Sequence, residues 1–430
     1  MRRDRRGLAV SVTSEAAVAA VDRFSRRLMN YEPDLDQVIA DADAHPGCAL
    51  LQVYAALLFI FSQNEAVIAE KARPFLARAR ACPADEREQG MIEVAHAWAD
   101  GAFARAKALL DDLTSSYPAD LVALKIAEFL YFQEPDARRH SAFMERAVAA
   151  NADVPEFLAM QSFAVELAGD RQRAKGIAEE AVARQEGTPW AHHALAHALI
   201  NEGDVERGTA IAARHAAGWS AHDVGMQTHL WWHAALFHLA ALDCDRVRAL
   251  YGERVWAHRP DDVFTHTDAV SLLWRMELLG KCWDGAWAPM MSHLDGGARG
   301  FMFPFLASHY AYALARGGRE KEAREVIARQ RRLAERRQGE EGRIWQRVGT
   351  PLVEACLASA LDDHAAAARM MEPAIREAGR IGGSDAQNDV IRQTWIVSLA
   401  KSSRRDKAAA EAKRRAGGRR LTPQEEAWLA

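Results

Sequence analysis

Turns that end helical stretches recur along this chain at a spacing of 34 residues, and this spacing constrains the fold more than any other feature. Gly101, Gly169 and Gly203 mark such turns, at intervals of 68 and 34 residues. The fifth residue after each of these glycines is small, and the eighth is aliphatic. Repetition at a fixed period of this length indicates one helical hairpin per repeat, with small residues where its two helices cross.

Helical periodicity extends through nearly all of the sequence. In the stretch 101–110, Phe103, Ala106 and Leu110 fall on one stripe at spacings of three and four residues. Such spacing is typical of helices that pack on one face, and the long polar–apolar alternation of strands is absent from the sequence. We therefore predict an all-α fold, a tetratricopeptide-like solenoid of helical hairpins in which an α-α superhelix curls around a concave pocket.

The same pattern predicts the domain organisation. No linker rich in Pro, Gly or Ser divides the chain, so we expect one continuous α-solenoid over residues 14–420, an N-terminal tail over 1–13 and a C-terminal helical tail over 421–430. The first helix of each hairpin, called the A helix, should line the concave face. The predicted A helices are 120–133, 154–168, 188–202, 222–242, 261–279, 300–316, 342–361 and 384–402.

Composition limits the partners and the compartment. The 55 Lys and Arg against 59 Asp and Glu give a net charge of −4, which predicts no general attraction to nucleic acid. No apolar run reaches the roughly 18 residues of a membrane helix, and five scattered cysteines suit a reducing compartment. We expect a cytoplasmic protein with neither a nucleic-acid nor a membrane partner. The basic residues near the C-terminus are interpreted as a solvated helix face.

Two histidine pairs mark the candidate site. His193 and His197 stand four residues apart on one predicted A helix, and His229 and His233 do the same on the next. Residues four apart share a helix face, and consecutive A helices are neighbours, so the four imidazoles are expected on one patch. They are candidates for catalysis, and also for binding a divalent transition metal, although no HExxH motif supports a metal. The alternative is a structural polar seam between helices.

A carboxylate and a guanidinium on the following A helix extend the patch. Asp268 beside a neutral imidazole would create a general base, which makes it a catalytic candidate. Arg275 lies seven residues further along the same helix and would either bind a substrate carboxylate or make a contact within its own helix. Neither a phosphate-binding loop nor a dinucleotide fingerprint occurs, so no cofactor other than a metal is indicated.

Further substrate-binding candidates are distributed over several A helices. Trp190 and Trp232 would supply apolar walls, and His309 would add another imidazole. Gln387 and Asp389 lie in the first turns of the last A helix, after a plausible N-cap at Ser384. These two side chains would either close the pocket or only cap the helix.

These segments resemble the tetratricopeptide repeat protein 38 family. The resemblance extends in order from about Ser14 over nearly the whole chain, and it is carried by residues 190–197, 229–237, 268–275 and 382–390. It implies a closed-up tetratricopeptide-like solenoid. It also implies that several residues match family motif positions, namely His193, His197, His229, His233, Asp268, Arg275, His309, Gln387 and Asp389. One departure is Ala307, where family members often carry an acidic residue.

Two functions are compatible with these residues. The first is the binding of a small polar ligand or substrate in a His-rich pocket, with imidazole and carboxylate chemistry if the protein is an enzyme and with a metal as an option. The alternative is a non-catalytic scaffold that binds a peptide segment of a partner protein. Peptide grooves of this fold usually present Lys, Arg and Asn, whereas the predicted groove presents His, Trp, Asp and Gln. The sequence decides neither the enzyme question nor the oligomeric state.

Overall fold

The computed structural model describes residues 1–133, 136–257, 263–283, 285–294 and 303–429. The described part of the chain is made almost entirely of helices, which confirms the all-α prediction. Before the first helix, strands β1 (Arg2–Arg3) and β2 (Ala9–Val10) form a short antiparallel ladder in which Arg2 is opposite Val10.

The helices follow one another with short connections. In the first half of the chain they are α1 Glu15–Asn30, α2 Gln37–Ala44, α3 Ala49–Ile60, α4 Glu65–Val67, a π-helical turn Ile68–Ala72, α5 Arg73–Ala81, α6 Glu86–Ala99, α7 Phe103–Ser116, α8 Leu121–Gln133, α9 Ala137–Asn151, α10 Pro155–Leu167, α11 Arg171–Arg184 and α12 Pro189–Glu202. In the second half they are α13 Val205–His215, a 3-10 turn Ala216–Ala221, α14 Val224–Ala240, α15 Cys244–Leu250, a π-helical turn Tyr251–Val255, α16 Val263–Leu278, a 3-10 turn Ala288–Leu294, α17 Pro304–Arg316, α18 Glu320–Arg336, α19 Gly339–Ile344, a π-helical turn Trp345–Gly349, α20 Thr350–Ala360, α21 His364–Met371, a 3-10 turn Ile375–Arg380, α22 Asp385–Lys401, α23 Arg405–Ala416 and α24 Pro423–Ala427.

The predicted A helices agree closely with the observed ones. The prediction 188–202 corresponds to α12, and 384–402 corresponds to α22. Two predictions, 261–279 and 300–316, begin at residues outside those described and continue as α16 and α17. The prediction 342–361 differs, because the structure divides it into α19, a π-helical turn and α20. Pro351 in the first turn of α20 lacks an N–H group and cannot continue the α-helical hydrogen bonds of the residues before it.

The repeating turns have a physical explanation. Gly169 and Gly203 end α10 and α12 with positive φ angles of 100° and 70°, a conformation that glycine adopts without strain. Asp170 and Asp204 then cap the next helices by accepting hydrogen bonds from backbone N–H groups. At Gly208, a Cβ atom would lie 2.1 Å from the ring of Phe237, so the crossing has no room for a side chain.

The chain divides into two compact units. The first contains residues 1–131, 136–195 and 218–226, and the second contains 132–135, 196–217 and 227–430. Each has its own apolar core: Trp98 is buried in the first unit, and Trp232, Trp274 and Trp345 are buried in the second. The single continuous solenoid over residues 14–420 stays a prediction. Among the described residues, every helix is too short or too polar to span a bilayer.

Candidate functional site

Most of the predicted site residues belong to the second unit. Only Trp190 and His193 lie in the first. Within the second unit, three imidazoles form a group that we call the histidine triplet: His197 on α12 and His229 and His233 on α14. The ring centroids of His229 and His233 are 4.8 Å apart, and those of His197 and His233 are 4.9 Å apart. Sequence spacing accounts for the contact between His229 and His233, and helix packing brings His197 to them.

The members of the triplet differ in their access to solvent. His197 and His233 are at most 1% exposed, whereas 18% of the His229 side chain is exposed. A reagent that approaches the triplet from water therefore meets His229 first. Since His197 and His233 are core side chains, they do not form an open groove wall in the second unit.

His229 is held by the carboxylate predicted to accompany it. Its Nδ1 atom lies 2.8 Å from Oδ2 of Asp268 on α16, and this carboxylate is 3% exposed. An ionised carboxylate only accepts hydrogen bonds, so Nδ1 must donate, and the ring lone pair is then on Nε2. This is the arrangement in which a buried carboxylate fixes the tautomer of a histidine that acts as a base.

Trp232 and Ser271 fix the orientation of this pair. The His229 ring stacks on Trp232 with centroids 5.2 Å apart and an angle of 11° between the planes. The indole Nε1 of Trp232 donates to Oγ of Ser271 over 2.7 Å, and that hydroxyl donates to the backbone oxygen of Asp268 over 3.0 Å. Ser271 was missed by the sequence analysis, although its position three residues after Asp268 places it on the same helix face.

His233, whose ring contacts the other two members of the triplet, carries no charge at neutral pH. Burial lowers the pKa of His233 well below its ordinary value, and the nearby His229, His197 and Arg275 lower it further by repulsion. His233 is therefore uncharged at pH 7. A neutral imidazole beside His229 offers an acceptor or a donor without adding a competing charge.

Arg275 is oriented toward backbone carbonyl groups of the protein. Its side chain is 1% exposed, and Nη2 donates to the oxygen of Ala386 over 2.7 Å and Nη1 to the oxygen of Ser271 over 3.3 Å. Burial lowers the pKa of Arg275 to about 10. Its guanidinium lies 5.6 Å from the ring of Trp232, so it supports the tryptophan on which His229 stacks.

His309 is buried on α17. Its Nδ1 atom lies 3.0 Å from the backbone oxygen of Phe305, and its ring contacts the ring of Phe305 at 4.6 Å and the edge of Trp274 at 5.7 Å. Burial lowers the pKa of His309 to about 4, and the charge of Arg275 contributes to this shift. It is a neutral core histidine at pH 7.

Gln387 and Asp389 have different surroundings at the start of α22. Gln387 completes a capping box with Ser384: each side chain bonds the backbone N–H of the other residue. Asp389 accepts hydrogen bonds from Arg415 on α23 and from Gln393. Arg415 holds the pKa of Asp389 well below its ordinary range. The interpretation of the C-terminal basic residues as a solvated face is therefore wrong for Arg415, because the fold buries its charge against carboxylates.

The two site residues in the first unit belong to a group of aromatic side chains within that unit. Trp190 stacks on His193 with centroids 3.9 Å apart and an angle of 12°. Its indole Nε1 donates to Oε1 of Glu128 on α8 over 2.8 Å. His193 also meets the edge of Phe163 at 5.2 Å and is 1% exposed. The four-histidine metal site predicted from the sequence stays a prediction.

Known proteins that are similar to this chain share little of its sequence. No family model matches the chain. Two solved structures are similar over most of its length. The first is a monomeric mutant of IFIT1 with Gppp-AAAA, 14% identical, which covers 95% of this chain and 94% of that one with a TM-score of 0.43. The second is the human IFIT1 dimer with m7Gppp-AAAA, 11% identical, with 94% and 90% covered and a TM-score of 0.39.

The class of this protein therefore follows from its own structure. It is an all-α protein of consecutive helical hairpins that carries a histidine–carboxylate pair in its second unit. Likenesses as distant as those to IFIT1 do not bear on function. The resemblance to the tetratricopeptide repeat protein 38 family is not confirmed.

Proposed function

We propose that the second unit binds a small polar ligand or substrate at the His229–Asp268 pair and that His229 serves there as a general base. The single observation that supports this proposal is the 2.8 Å contact between Nδ1 of His229 and a carboxylate that is 3% exposed. A buried carboxylate stabilises the imidazolium that forms when His229 accepts a proton. In a second version of this proposal, the predicted histidines bind a divalent transition metal at the site.

The surroundings of the pair suit proton transfer. His229 is the exposed member of the histidine triplet, while the carboxylate and the supporting Trp232 and Ser271 are buried. Interactions between charges are stronger in such a water-poor environment than at the surface. A proton taken by His229 would therefore be stabilised mainly by Asp268, since the adjacent His233 is held neutral.

The chain contains a matched control for this pair. His238 Nδ1 lies 3.1 Å from Oδ2 of Asp243, and 21% of the His238 side chain is exposed, close to the value for His229. The difference is in the carboxylate, because 48% of the Asp243 side chain is exposed against 3% for Asp268. Solvent should weaken the effect of Asp243 on its histidine.

Acylation by diethyl pyrocarbonate tests the proposal. At roughly pH 8 unperturbed imidazoles are neutral, and the rate of acylation of each histidine can be followed by peptide mass spectrometry. Asp268→Asn should slow the modification of His229 about tenfold or more, since a charge-assisted hydrogen bond contributes about 1.5–3 kcal/mol. Asp243→Asn should change the modification of His238 less than about threefold, in keeping with the 0–1 kcal/mol of exposed pairs. Equal effects of the two substitutions would refute a special role for His229.

The same variants distinguish the two functions in a ligand screen. Thermal-shift titration with small polar carboxylates, amides and esters should give stabilisation that Asp268→Asn removes and Asp243→Asn retains. Elemental analysis of the same purified protein tests the metal. A protein that binds peptides with equal affinity in the wild-type and Asp268→Asn forms, and none of the small ligands, would instead be the peptide-binding scaffold.

A further inference from the structure

A buried lysine in the first unit is surrounded by aromatic rings. Lys125 on α8 is 1% exposed, and its Nζ atom lies 4.1 Å from the ring centroid of Trp190, 4.8 Å from that of Tyr31 and 5.8 Å from that of Phe129. Glu128, one turn further along α8, forms an ion pair with Nζ. We call these five residues the lysine cluster. Lys125 and Glu128 have no role in the function proposed for the second unit.

The choice of lysine is informative. A buried ion pair of the first unit, Arg87–Asp120, uses arginine, whose guanidinium also donates to a backbone oxygen at Ala9. Arginine holds its charge in a protein interior and satisfies several acceptors at once, so it suits a permanent buried cation. Lysine makes a poorer structural cation, but it can lose its proton and become a nucleophile. Burial lowers the pKa of Lys125 even though Glu128 opposes that shift.

The backbone at Tyr31 gives a second sign of a functional site. Tyr31 follows α1 in the left-handed region, with φ 50° and ψ 43°, a conformation that is strained for a residue as bulky as tyrosine. Glycine is the usual residue at this position of a helix end. The strained conformation places an aromatic ring over Nζ of Lys125, where a glycine would leave a gap.

The cluster lies just below the surface. The residues Tyr31, Phe129 and Trp190 are each partly exposed, whereas Lys125 is 1% exposed. A small planar molecule that parts these rings would reach the amine and stack on their faces. Glu128 accepts a hydrogen bond from Trp190 in addition to its pairing with Lys125, so its carboxylate is already fixed beside the amine.

We propose that Lys125 is a nucleophilic amine that forms a Schiff base with a small neutral aldehyde or ketone held between the rings of the lysine cluster. The amine first passes its proton to Glu128. The nitrogen lone pair then attacks the carbonyl carbon, a C–N bond forms as the C–O π bond opens, and a second proton moves from nitrogen to the oxygen to give a carbinolamine. Glu128 returns the proton, the C–O bond breaks, and the oxygen leaves as water, so that no oxidant or reductant is consumed. Glu128 and the nearby Asp223 both place negative charge near Tyr31, which disfavours anionic carbonyl compounds such as oxo acids.

Reductive trapping tests this assignment on the full-length protein. The protein is incubated at neutral pH with acetaldehyde and cyanoborohydride, and the modification of each lysine is followed by peptide mass spectrometry. We expect Lys125 to be modified severalfold faster than the exposed Lys401 and Lys413, because burial lowers the pKa of Lys125 and leaves more of its amine neutral. Lys107 is the buried control, at 5% exposed and with Nζ 5.1 Å from the ring of Tyr131.

Every outcome of this experiment decides the proposal. Modification of Lys125 at or below the rate of Lys107, Lys401 and Lys413 would overturn it. Pyruvate that is trapped as fast as acetaldehyde would overturn the preference for a neutral carbonyl compound. Lys125→Arg keeps the charge next to Glu128, so the variant should fold with an unchanged circular dichroism spectrum and lose only the rapid phase of labelling.

Discussion

Acidification should unfold this protein in part through His309. The ordinary pKa of a histidine is near 6.5, whereas burial lowers that of His309 to about 4 in the folded protein. The unfolded chain therefore binds a proton between these two values while the folded chain does not. The stabilising effect of a neutral His309 is fully present above pH 6.5 and is lost progressively as the pH falls from 6.5 toward 4.

The size of the effect follows from the width of that interval. One pKa unit corresponds to about 1.4 kcal/mol, and pH 5 lies about 1.5 units below the ordinary value. Between pH 7 and pH 5, His309 alone should reduce the free energy of unfolding by about 2 kcal/mol. That is a large share of the roughly 5–15 kcal/mol by which proteins are stable.

A substitution that removes the titrating ring isolates the contribution of His309 to the loss of stability at low pH. His309→Gln can still donate to the backbone oxygen of Phe305, the contact that Nδ1 makes at 3.0 Å, but it does not ionise. Urea unfolding of both proteins at pH 7 and pH 5 gives the loss of stability on acidification. The wild type should lose about 2 kcal/mol more than the variant, whatever the stability of the variant at pH 7. Equal losses in the two proteins would refute the reasoning, because His309 would then have no depressed pKa.

Two further predictions concern packing and charge. Gly208→Ala should destabilise the protein by about 1–3 kcal/mol in urea unfolding, because the new Cβ would lie 2.1 Å from the ring of Phe237. Gly176→Ala, on α11 with nothing within 4 Å of its Cβ position, should instead stabilise it by up to about 1 kcal/mol, and similar signs for the two would contradict the packing argument. Asp389→Asn should cost about 1.5–3 kcal/mol at pH 7, since it weakens the charge-assisted hydrogen bonds from the partly buried Arg415. A thermal midpoint unchanged by this substitution would show that Glu425, which also pairs with Arg415, suffices alone.

The helices could be predicted because their signals are local. A positive-φ glycine followed by a capping aspartate, as at Gly203 and Asp204, ends one helix and begins the next through contacts between near neighbours in the chain. The capping box of Ser384 and Gln387 spans only three residues and was one of the two alternatives left open by the sequence. The division of the helix predicted at 342–361 could have been anticipated from Pro351.

The site was accessible to sequence analysis only in part. His229 and His233 are four residues apart, which predicts that they share one face of α14, and their rings are in contact. The pairing of His229 with Asp268 joins residues 39 positions apart on two different helices, and the sequence could offer it only as a conjecture. The burial of His197 and His233 was not foreseen, since hydropathy does not reveal which helix face a neighbouring element covers.

The sequence by itself determined where helices begin and end, because capping, glycine conformation and apolar spacing act over three to eight residues. Only the tertiary structure decided what each polar side chain became. Arg415 belongs to a run of basic residues in the sequence, but in the structure it pairs with Asp389. Lys125 belongs to an apolar helix, and its amine lies against three aromatic rings. Burial and charge pairing depend on groups brought together from distant parts of the chain, and they are what shift a pKa and turn an ordinary side chain into a reactive one.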